Sequence, residues 1–247
     1  MQTEYIKSRA EATPTILFYD FWCSLIKEFF KNKEDETGVL VELMCGRAEY
    51  LMRLSGRNPK HTRIGIDSDW KILQAGVFKM DLRYSLVQGD CRHLPLPNNK
   101  INAVVIMGGL HHVARYQGKV LSELSRVMSS GGVLVISEPR NDNPLIRAAR
   151  YVVYRLFNAF DPKEEKGLNI HDLSREMGRY GFEPISFLPF GFIAYPLLGN
   201  SDIIRFVAHI RSPWLINGLI SIDKCLSKVP IIKSFSWAFV ASFRKGQ

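Results

Sequence analysis

"TGVLVELMCGRAEYLMRL", residues 37–54, is the stretch that decides the fold. Its apolar run, Val39 to Val41, is typical of a buried strand, and the run meets an acidic residue, Glu42, before a turn around Gly46. After the turn, the apolar residues recur at helical spacing. A strand, a turn and a helix in this order predict a parallel α/β unit whose strand ends at a ligand-binding edge.

The rest of the chain repeats this arrangement of strand and helix. Short apolar runs bounded by turn residues follow at RIGID, YSLVQGD, NAVVIMGG and GGVLVISEP, with helical patterns between them. Strands rich in Val and Ile that alternate with helices predict a doubly wound parallel sheet, buried on both faces. Gly131 and Gly132 are predicted to form a turn before the fifth strand. Right-handed crossovers place the carboxyl ends of such strands at one edge of the sheet.

Composition limits the classes of protein that fit. The 247 residues carry a formal net charge of +9, which suggests an anionic partner such as a nucleic acid, a phosphorylated substrate or a membrane surface. The four cysteines are scattered without metal-ligand spacing, so we expect reduced thiols and no metal site. The first residues lack a signal-peptide pattern, and no apolar run reaches the ~18 residues of a membrane span. The sequence therefore predicts a cytoplasmic protein.

The residues at the strand ends indicate the ligand. Only Gly46 stands where a dinucleotide fingerprint requires three glycines, and Glu42 supplies a carboxylate in place of room for a phosphate. A carboxylate suits a ligand with hydroxyls and a positive charge, which favours a nucleoside without phosphates. Asp67 ends the second strand, where an acid can accept ribose hydroxyls, and Asp90 after the third can accept from an adenine amine. Gly108, after the fourth strand, lets the backbone come close to a ligand.

These segments resemble the class I S-adenosylmethionine-dependent methyltransferases, especially the bacterial group with the core GD…LPLP…AVVIMGGLHHV…LSELSRVMSSGGVLVISEP. The resemblance runs from Thr37 to Pro139. It implies a Rossmann-like α/β sheet, mostly parallel with an antiparallel last strand. It also implies S-adenosyl-L-methionine as the cofactor and S-adenosyl-L-homocysteine as the product.

The resemblance assigns the methionine portion of the cofactor to Glu42, Met44, Cys45 and Gly46, and its ribose to Asp67 and Ser68. It assigns the adenine to Asp90 and Cys91, and the backbone beneath the cofactor to Met107 and Gly108. The family usually has glycine where this chain has Met44 and Ala48. Taken alone, a residue such as Asp67 is more often a helix cap after a strand, and one such as Asp90 a turn former. Their occurrence at successive strand ends of one sheet favours ligand binding.

The remaining segments are predicted to complete a single catalytic domain. Residues 1–36 are predicted to form an N-terminal helical lid, residues 37–140 the cofactor-binding core, and residues 141–247 the rest of the sheet with helical cap insertions at 141–168 and 191–233. The second insertion mixes apolar and basic residues at helical spacing. That pattern suits an amphipathic substrate or an anionic membrane surface, and equally a cap helix that packs on the domain.

Three residues at the ligand edge are candidate general bases, in the order His112, Glu138 and His171. Methyl transfer from a sulfonium is an in-line displacement that depends on positioning, and a base is needed only when the acceptor must lose a proton. His111 and His112 also have a structural or cofactor-side interpretation, which we favour. His171 is equally the start of a helix.

The sequence thus predicts an enzyme that methylates an oxygen or nitrogen of a small-molecule, sugar or lipid-linked acceptor, with a glycolipid-like substrate and peripheral membrane contact as options. One alternative is an RNA-modifying methyltransferase, which the basic charge favours. Against it, GGLHHV stands where many such enzymes have an Asn/Asp-Pro-Pro-aromatic signature, so nucleic acid is the less favoured partner. Another alternative is a non-catalytic binding protein that keeps the fold, suggested by Met44 and Ala48. The oligomeric state is left open.

Overall fold

The structure is a computed structural model, which describes residues 13–33, 38–54, 62–77, 84–156, 167–199, 207 and 209–247. Parts of the lid, the core and both caps lie outside the described residues: 1–12 and 34–36 of the lid, 37, 55–61 and 78–83 of the core, 157–166 of the first cap, and 200–206 and 208 of the second. The division into lid, core and caps stays a prediction.

The described residues form the predicted sheet. Its strands are β1 (Val39–Leu43), β2 (Thr62–Asp67), β3 (Tyr84–Gln88), β4 (Ile101–Met107), β5 (Met128–Pro139), β6 (Phe182–Phe190) and β7 (Ala238–Lys245). The strand order is β3-β2-β1-β4-β5-β7-β6. β1 pairs in parallel with β2 and β4, β2 with β3, and β4 with β5, and the sheet is mostly parallel with an antiparallel last strand, which confirms the predicted fold class. The order reverses between β1 and β4, the switch point at which such sheets bind ligands.

Helices in the described residues alternate with these strands. They are α1 (Thr13–Lys27), α2 (Glu49–Leu54), α3 (Trp70–Val77), α4 (Gln117–Val127), α5 (Pro144–Leu156), α6 (Ile170–Arg179), α7 (Ala194–Leu198) and α8 (Pro213–Leu226). Three 3₁₀ segments, Glu28–Lys33, Leu110–Tyr116 and Ile232–Phe235, extend or connect them. Within the described part of the chain, no helix is long and apolar enough to cross a membrane.

The central strands are buried on both faces, as a parallel sheet requires. All of β4 except Asn102 is buried, and β5 is buried from Gly132 onward. Helix α4 places its buried residues at three- and four-residue steps, at Val120, Leu124 and Val127. Each buried aliphatic side chain contributes roughly 1.5–3 kcal/mol, so these apolar runs stabilise the strands that carry the candidate site.

The turn predicted at Gly131 and Gly132 lies inside β5. The register with β4 shifts there, and Gly131 has a φ of +76°. A Cβ on Gly132 would lie 2.8 Å from the Ser129 carbonyl oxygen, so only glycine fits. The chain forms a β-bulge at this point, and the strand begins at Met128, earlier than the sequence predicts.

The chain divides into two compact units, each described here by its own contacts. Unit 1 consists of the described residues of Met1–Leu25, Pro139–Leu168 and Leu188–Phe239, and unit 2 of those of Ile26–Glu138, Asn169–Phe187 and Val240–Gln247. Unit 2 contains β1 to β4 and therefore the strand ends at which the cofactor site is predicted.

Aromatic side chains form the core of unit 1. Phe18, Phe21 and Trp22 of α1 lie against Phe190 or Tyr195, with ring centroids 5.8 to 6.5 Å apart in tilted or edge-to-face arrangements. Such pairs stabilise by about 0.5–1.5 kcal/mol beyond the area they bury. The apolar face of α1 from Phe18 to Trp22 therefore packs within this unit.

Candidate functional site

The loop between β1 and α2 follows a left-handed path. Met44, Gly46 and Ala48 have φ angles of +56°, +53° and +55°. This backbone region costs a residue with a side chain roughly 1–2 kcal/mol, which is why glycine is usual there. The family usually has glycine at the positions of Met44 and Ala48. The backbone here therefore has a conformation that favours glycine, although this chain has a side chain at both positions.

Neighbouring backbone holds this loop in place. The Cys45 N–H donates to the Ile66 carbonyl at 3.1 Å, and the Ala48 N–H donates to the Cys45 carbonyl at 2.8 Å. A Cβ on Gly76 would lie 2.5 Å from the Arg47 carbonyl oxygen, so α3 approaches the loop at a residue without a side chain. Burial raises the pKa of the Cys45 thiol well above its ordinary range, which leaves this sulfur protonated and unreactive.

Glu42, the acidic residue of β1, is buried, and its side chain reaches the start of α2. Its Oε2 accepts from the Leu51 N–H at 2.7 Å, which satisfies one of the free amides in the first turn of that helix. Burial raises the pKa of Glu42 to about 8. The side chain is therefore largely protonated at neutral pH.

Asp67 joins the end of β2 to the first loop. Its Oδ2 accepts from the Gly46 N–H at 2.8 Å, and its Oδ1 accepts from the Asp69 N–H at 2.9 Å. Ser68 is exposed beside it, and the Ser68 carbonyl accepts from the side chain of Gln88 at 3.1 Å. Because each carboxylate oxygen has two lone pairs, Asp67 retains the capacity to accept from two further hydroxyls.

Asp90, after β3, forms an ion pair with Arg92. Its Oδ1 and Oδ2 both accept from Arg92 Nε at 2.9 Å, and Oδ2 accepts from Nη2 at 2.6 Å. The guanidinium lies over the ring of Tyr116, 4.7 Å from the centroid. The hydrogen bonds from Arg92 lower the pKa of Asp90 to about 2. Cys91, beside them, is buried, and burial raises the pKa of its thiol.

β4 ends at Met107, and the chain then comes close to both of its neighbours. Gly108 has a φ of +67°, and its N–H donates to the Ser137 carbonyl at 2.8 Å. A Cβ on Gly109 would lie 2.7 Å from the Met44 Cβ and 3.1 Å from the Met44 sulfur. Met44 of the first loop therefore packs directly on the backbone of Gly109.

Glu138, at the end of β5, is 0% exposed and has hydrogen bonds at both oxygens. Its Oε1 accepts from the Leu110 N–H at 2.7 Å, and its Oε2 lies 2.6 Å from Nδ1 of the buried His111. The exposed ring of His112 follows, with its centroid 4.0 Å from that of His111 and the planes 36° apart. The three side chains form a row from the core to the surface of unit 2.

The predicted bases therefore separate into two places. The row brings Glu138 and His112 together through His111, whereas His171 lies in the first turn of α6 with an exposed side chain. The His171 N–H donates to Oδ1 of Asn169, which caps that helix. His171 thus begins a helix, as its alternative interpretation predicts.

Sequence reasoning missed the pairing of His111 with Glu138, although a signal for it was present. β4 and β5 are parallel neighbours, and Met107 stands opposite Ser137 in their register. Residues just beyond these two positions must therefore meet at the strand ends. GGLHHV and SEP end consecutive strands of the predicted sheet, and that adjacency predicts a histidine–carboxylate contact.

Comparison with known proteins relates part of this chain to methyltransferases. Residues 40–132 match a family described as "Methyltransferase domain". A demethylmenaquinone methyltransferase of Lactobacillus johnsonii is 30% identical over 156 residues, which are 59% of this chain and 62% of that protein. The chain spans about half the length of the curated relatives it matches.

Solved structures share the fold. A phosphoethanolamine N-methyltransferase 2 of Haemonchus contortus, in complex with phosphomonomethylethanolamine and S-adenosylhomocysteine, aligns with a TM-score of 0.61 at 15% identity, over 97% of this chain and 59% of that one. An S-adenosylmethionine-dependent methyltransferase from Archaeoglobus fulgidus aligns with a TM-score of 0.58 at 16% identity, over 90% of this chain and 94% of that one. At these identities the alignments show the fold alone.

Proposed function

The chain carries a class I S-adenosylmethionine-dependent methyltransferase domain, and we propose that it transfers the methyl group of S-adenosyl-L-methionine to a small-molecule or lipid-type acceptor. The observation that carries this proposal is the left-handed loop from Met44 to Ala48, fastened to Asp67 by the 2.8 Å hydrogen bond from Gly46. A turn at this switch point, with Gly46 in it, lets a ligand come close to the backbone. Asp67 lies beside it with acceptor capacity for ribose hydroxyls.

The residues of unit 2 fit this cofactor. Among the described residues, a Cβ on Gly46 would meet only Ile72, at 3.8 Å, so these residues leave room for a ligand to approach the loop. We assign the methionine portion of the cofactor to Glu42, Met44, Cys45 and Gly46, and its ribose to Asp67 and Ser68. We assign its adenine to Asp90 and Cys91, and the backbone beneath it to Met107 and Gly108.

Arg92 competes with the cofactor for Asp90 in this assignment. Both carboxylate oxygens of Asp90 accept from Arg92, so an adenine amine gains a hydrogen bond there only when the guanidinium releases one oxygen. Both side chains of the pair are partly exposed, and exposed ion pairs are weak, which makes such an exchange inexpensive.

The row of Glu138, His111 and His112 is the proposed proton-handling group. When bound, the cofactor supplies its methyl group: the acceptor's electron pair attacks the methyl carbon in line with the bond to sulfur, and the sulfur leaves as a neutral thioether. The buried carboxylate fixes the ring of His111, and the stacked, exposed ring of His112 is placed to take a proton from the acceptor. In this proposal Glu138 and His111 are positioning residues and His112 is the base.

The acceptor is proposed from the relatives and from the proton-handling group. The similar protein of Lactobacillus johnsonii is named a demethylmenaquinone methyltransferase, so a demethylated quinone is the first acceptor to test. Lipid-linked sugars and glycolipids follow, as the sequence suggests. A base is needed for a hydroxyl or a carbon acceptor that must lose a proton, and the His112 row supplies one.

Methyl transfer from radiolabelled S-adenosyl-L-methionine tests the proposal. The purified protein is incubated with demethylmenaquinone, a lipid-linked sugar, a glycolipid and an RNA transcript in separate reactions. Label in any of the first three, lost in Asp67→Asn, supports the proposal. Label in the RNA alone assigns the activity to nucleic acid, and cofactor binding without transfer to any acceptor favours the non-catalytic alternative.

A further inference from the structure

We propose that unit 1 docks on the surface of an anionic lipid bilayer through the segment 211–235, which we call the docking segment. It holds α8 and the 3₁₀ turn at Ile232–Phe235. The inference extends the proposed function, because a lipid acceptor is reached from a bilayer surface, but it rests on different residues and its test requires no methyl transfer.

Large apolar side chains of the docking segment face outward. Trp214 is 84% exposed and Ile231 is 78% exposed, and further exposed members are Leu215, Ile222, Val229 and Phe235. Leu215 and Ile222 are seven residues apart and so share one face of α8. Exposed apolar side chains that recur along one segment between charged residues are typical of an interaction surface, whereas scattered single ones need no explanation.

The exposed charges of the docking segment are all positive. They belong to Arg211, Lys224, Lys228 and Lys233. The one acidic residue in the segment is Asp223, which is buried and accepts from the N–H groups of Phe192 and Ile193 at 3.0 and 2.7 Å. Cations beside a tryptophan and aliphatic side chains are the combination that binds the headgroup region of an anionic membrane.

Hydrogen bonds make the docking segment continuous with the start of α5. Asn143 Nδ2 donates to the Ser234 carbonyl at 2.7 Å, and Arg140 Nη1 donates to the Lys233 carbonyl at 3.1 Å and to Ser236 Oγ at 2.8 Å. Leu145, in the first turn of α5, is 64% exposed. The buried Arg140 therefore holds the 3₁₀ turn to α5 from beneath, while their apolar side chains remain on the surface.

Two other occupants fit less well. A second copy of the chain would bring Lys228 and Lys233 against like charges, because an isologous contact repeats the same surface on both sides. A nucleic acid would pair with the cations but would leave the exposed aliphatic side chains, Ile222 and Ile231 among them, without an apolar partner. A bilayer surface satisfies both the charge and the apolar groups.

Co-sedimentation of the full chain with vesicles tests the proposal. One set of vesicles is phosphatidylcholine, and the other is equal parts phosphatidylcholine and phosphatidylglycerol. The variants are Trp214→Ser with Ile231→Ser, which removes the apolar anchors, and Lys228→Glu with Lys233→Glu, which inverts the charge. Matched controls in unit 2 are Ile185→Ser, which removes an exposed apolar side chain, and Lys119→Glu with Arg179→Glu, which makes the same change in net charge.

We expect the wild type to bind the phosphatidylglycerol vesicles, with partitioning that falls as salt is added. Each docking-segment variant should weaken partitioning by about tenfold or more, and each control by less than about twofold, since the control residues lie outside the docking segment. Equal losses in the controls, or no binding to either vesicle, would overturn the proposal. Binding of a single-stranded RNA oligonucleotide in place of the vesicles would overturn it too.

Discussion

Met44 packs so closely on Gly109 that a Cβ added to Gly109 would lie 2.7 Å from the Met44 Cβ. The contact joins the first loop, at the end of β1, to the end of β4, the two strands between which the sheet order reverses. Met44 has a side chain at a left-handed position, and Gly109, at the end of the neighbouring strand, has none, which leaves room for it. The effects on stability of substitutions at Met44 and Gly109 should therefore depend on each other.

Gly109→Ala should destabilise the protein by about 1–3 kcal/mol, because the new methyl group overpacks against Met44. Most of this loss should disappear in the Met44→Gly background, where the obstruction is gone. Urea unfolding of the double-mutant cycle measures the coupling. Gly178→Ala, where a Cβ would have no neighbour within 4 Å among the described residues, is the control and should be neutral or stabilising. Equal costs of Gly109→Ala in both backgrounds would contradict the contact.

Met44→Gly should be more stable than Met44→Ala by about 1 kcal/mol, because both lose the same side-chain packing but only alanine pays for the left-handed φ of +56°. Thermal or urea unfolding of the two variants measures the difference. If Met44→Ala were the more stable of the two variants, residue 44 would not have a left-handed backbone in solution.

Glu42→Gln should change how stability depends on pH. The folded-state pKa of Glu42, about 8, lies above the ordinary 4.5, so the stability that its protonated form provides is fully present below pH 4.5 and is lost as pH rises through about 8. The unfolding free energy of the wild type should therefore fall relative to Glu42→Gln across that window, by up to about 1.4 kcal/mol per pH unit. Urea unfolding at several pH values measures the slope, and Glu183→Gln, at an exposed acid, should run parallel to the wild type. Parallel curves for Glu42→Gln as well would contradict its buried, protonated state.

Glu138→Gln and His112→Asn should lower kcat by about 10²–10⁴ for an acceptor that must lose a proton, since that is the usual contribution of a positioned base. The dissociation constant for S-adenosyl-L-methionine should stay within about threefold, because neither side chain is assigned to the cofactor. Steady-state kinetics with calorimetry separates the two effects. A fall in kcat for His171→Asn, with His112→Asn unaffected, would move the base to α6.

Asp90→Ala should weaken cofactor binding by about ten- to hundredfold, the value of a hydrogen bond to a charged group, whereas Arg92→Gln should preserve or strengthen it by releasing the carboxylate. Arg175→Gln, which breaks the exposed Arg175–Asp172 ion pair of α6, is the control and should have no effect. Weaker binding in Arg92→Gln than in Arg175→Gln would show that the cofactor does not compete for Asp90.

Local sequence pattern predicts the features that depend on neighbouring residues along the chain. Apolar runs with alternating helices fix the sheet, and the position of Asp67 at the end of β2 follows directly. The row of Glu138, His111 and His112 depends instead on the register of β4 against β5, which no local pattern states. The left-handed φ of Met44 cannot be recognised from the methionine itself, and the glycine that the family usually has at this position is the sequence signal that points to it.

The most direct test of the central claim is calorimetric titration of the purified chain with S-adenosyl-L-methionine, repeated on Asp67→Asn and on Asp172→Asn. Asp67→Asn keeps an oxygen that can accept from the Gly46 N–H but loses the charge, and Asp172→Asn makes the same change at an exposed acid of unit 2. We predict micromolar binding that Asp67→Asn weakens at least about tenfold and Asp172→Asn leaves unchanged. Absence of binding to the wild type, or equal affinities for all three proteins, would contradict the assignment of the cofactor to this strand edge.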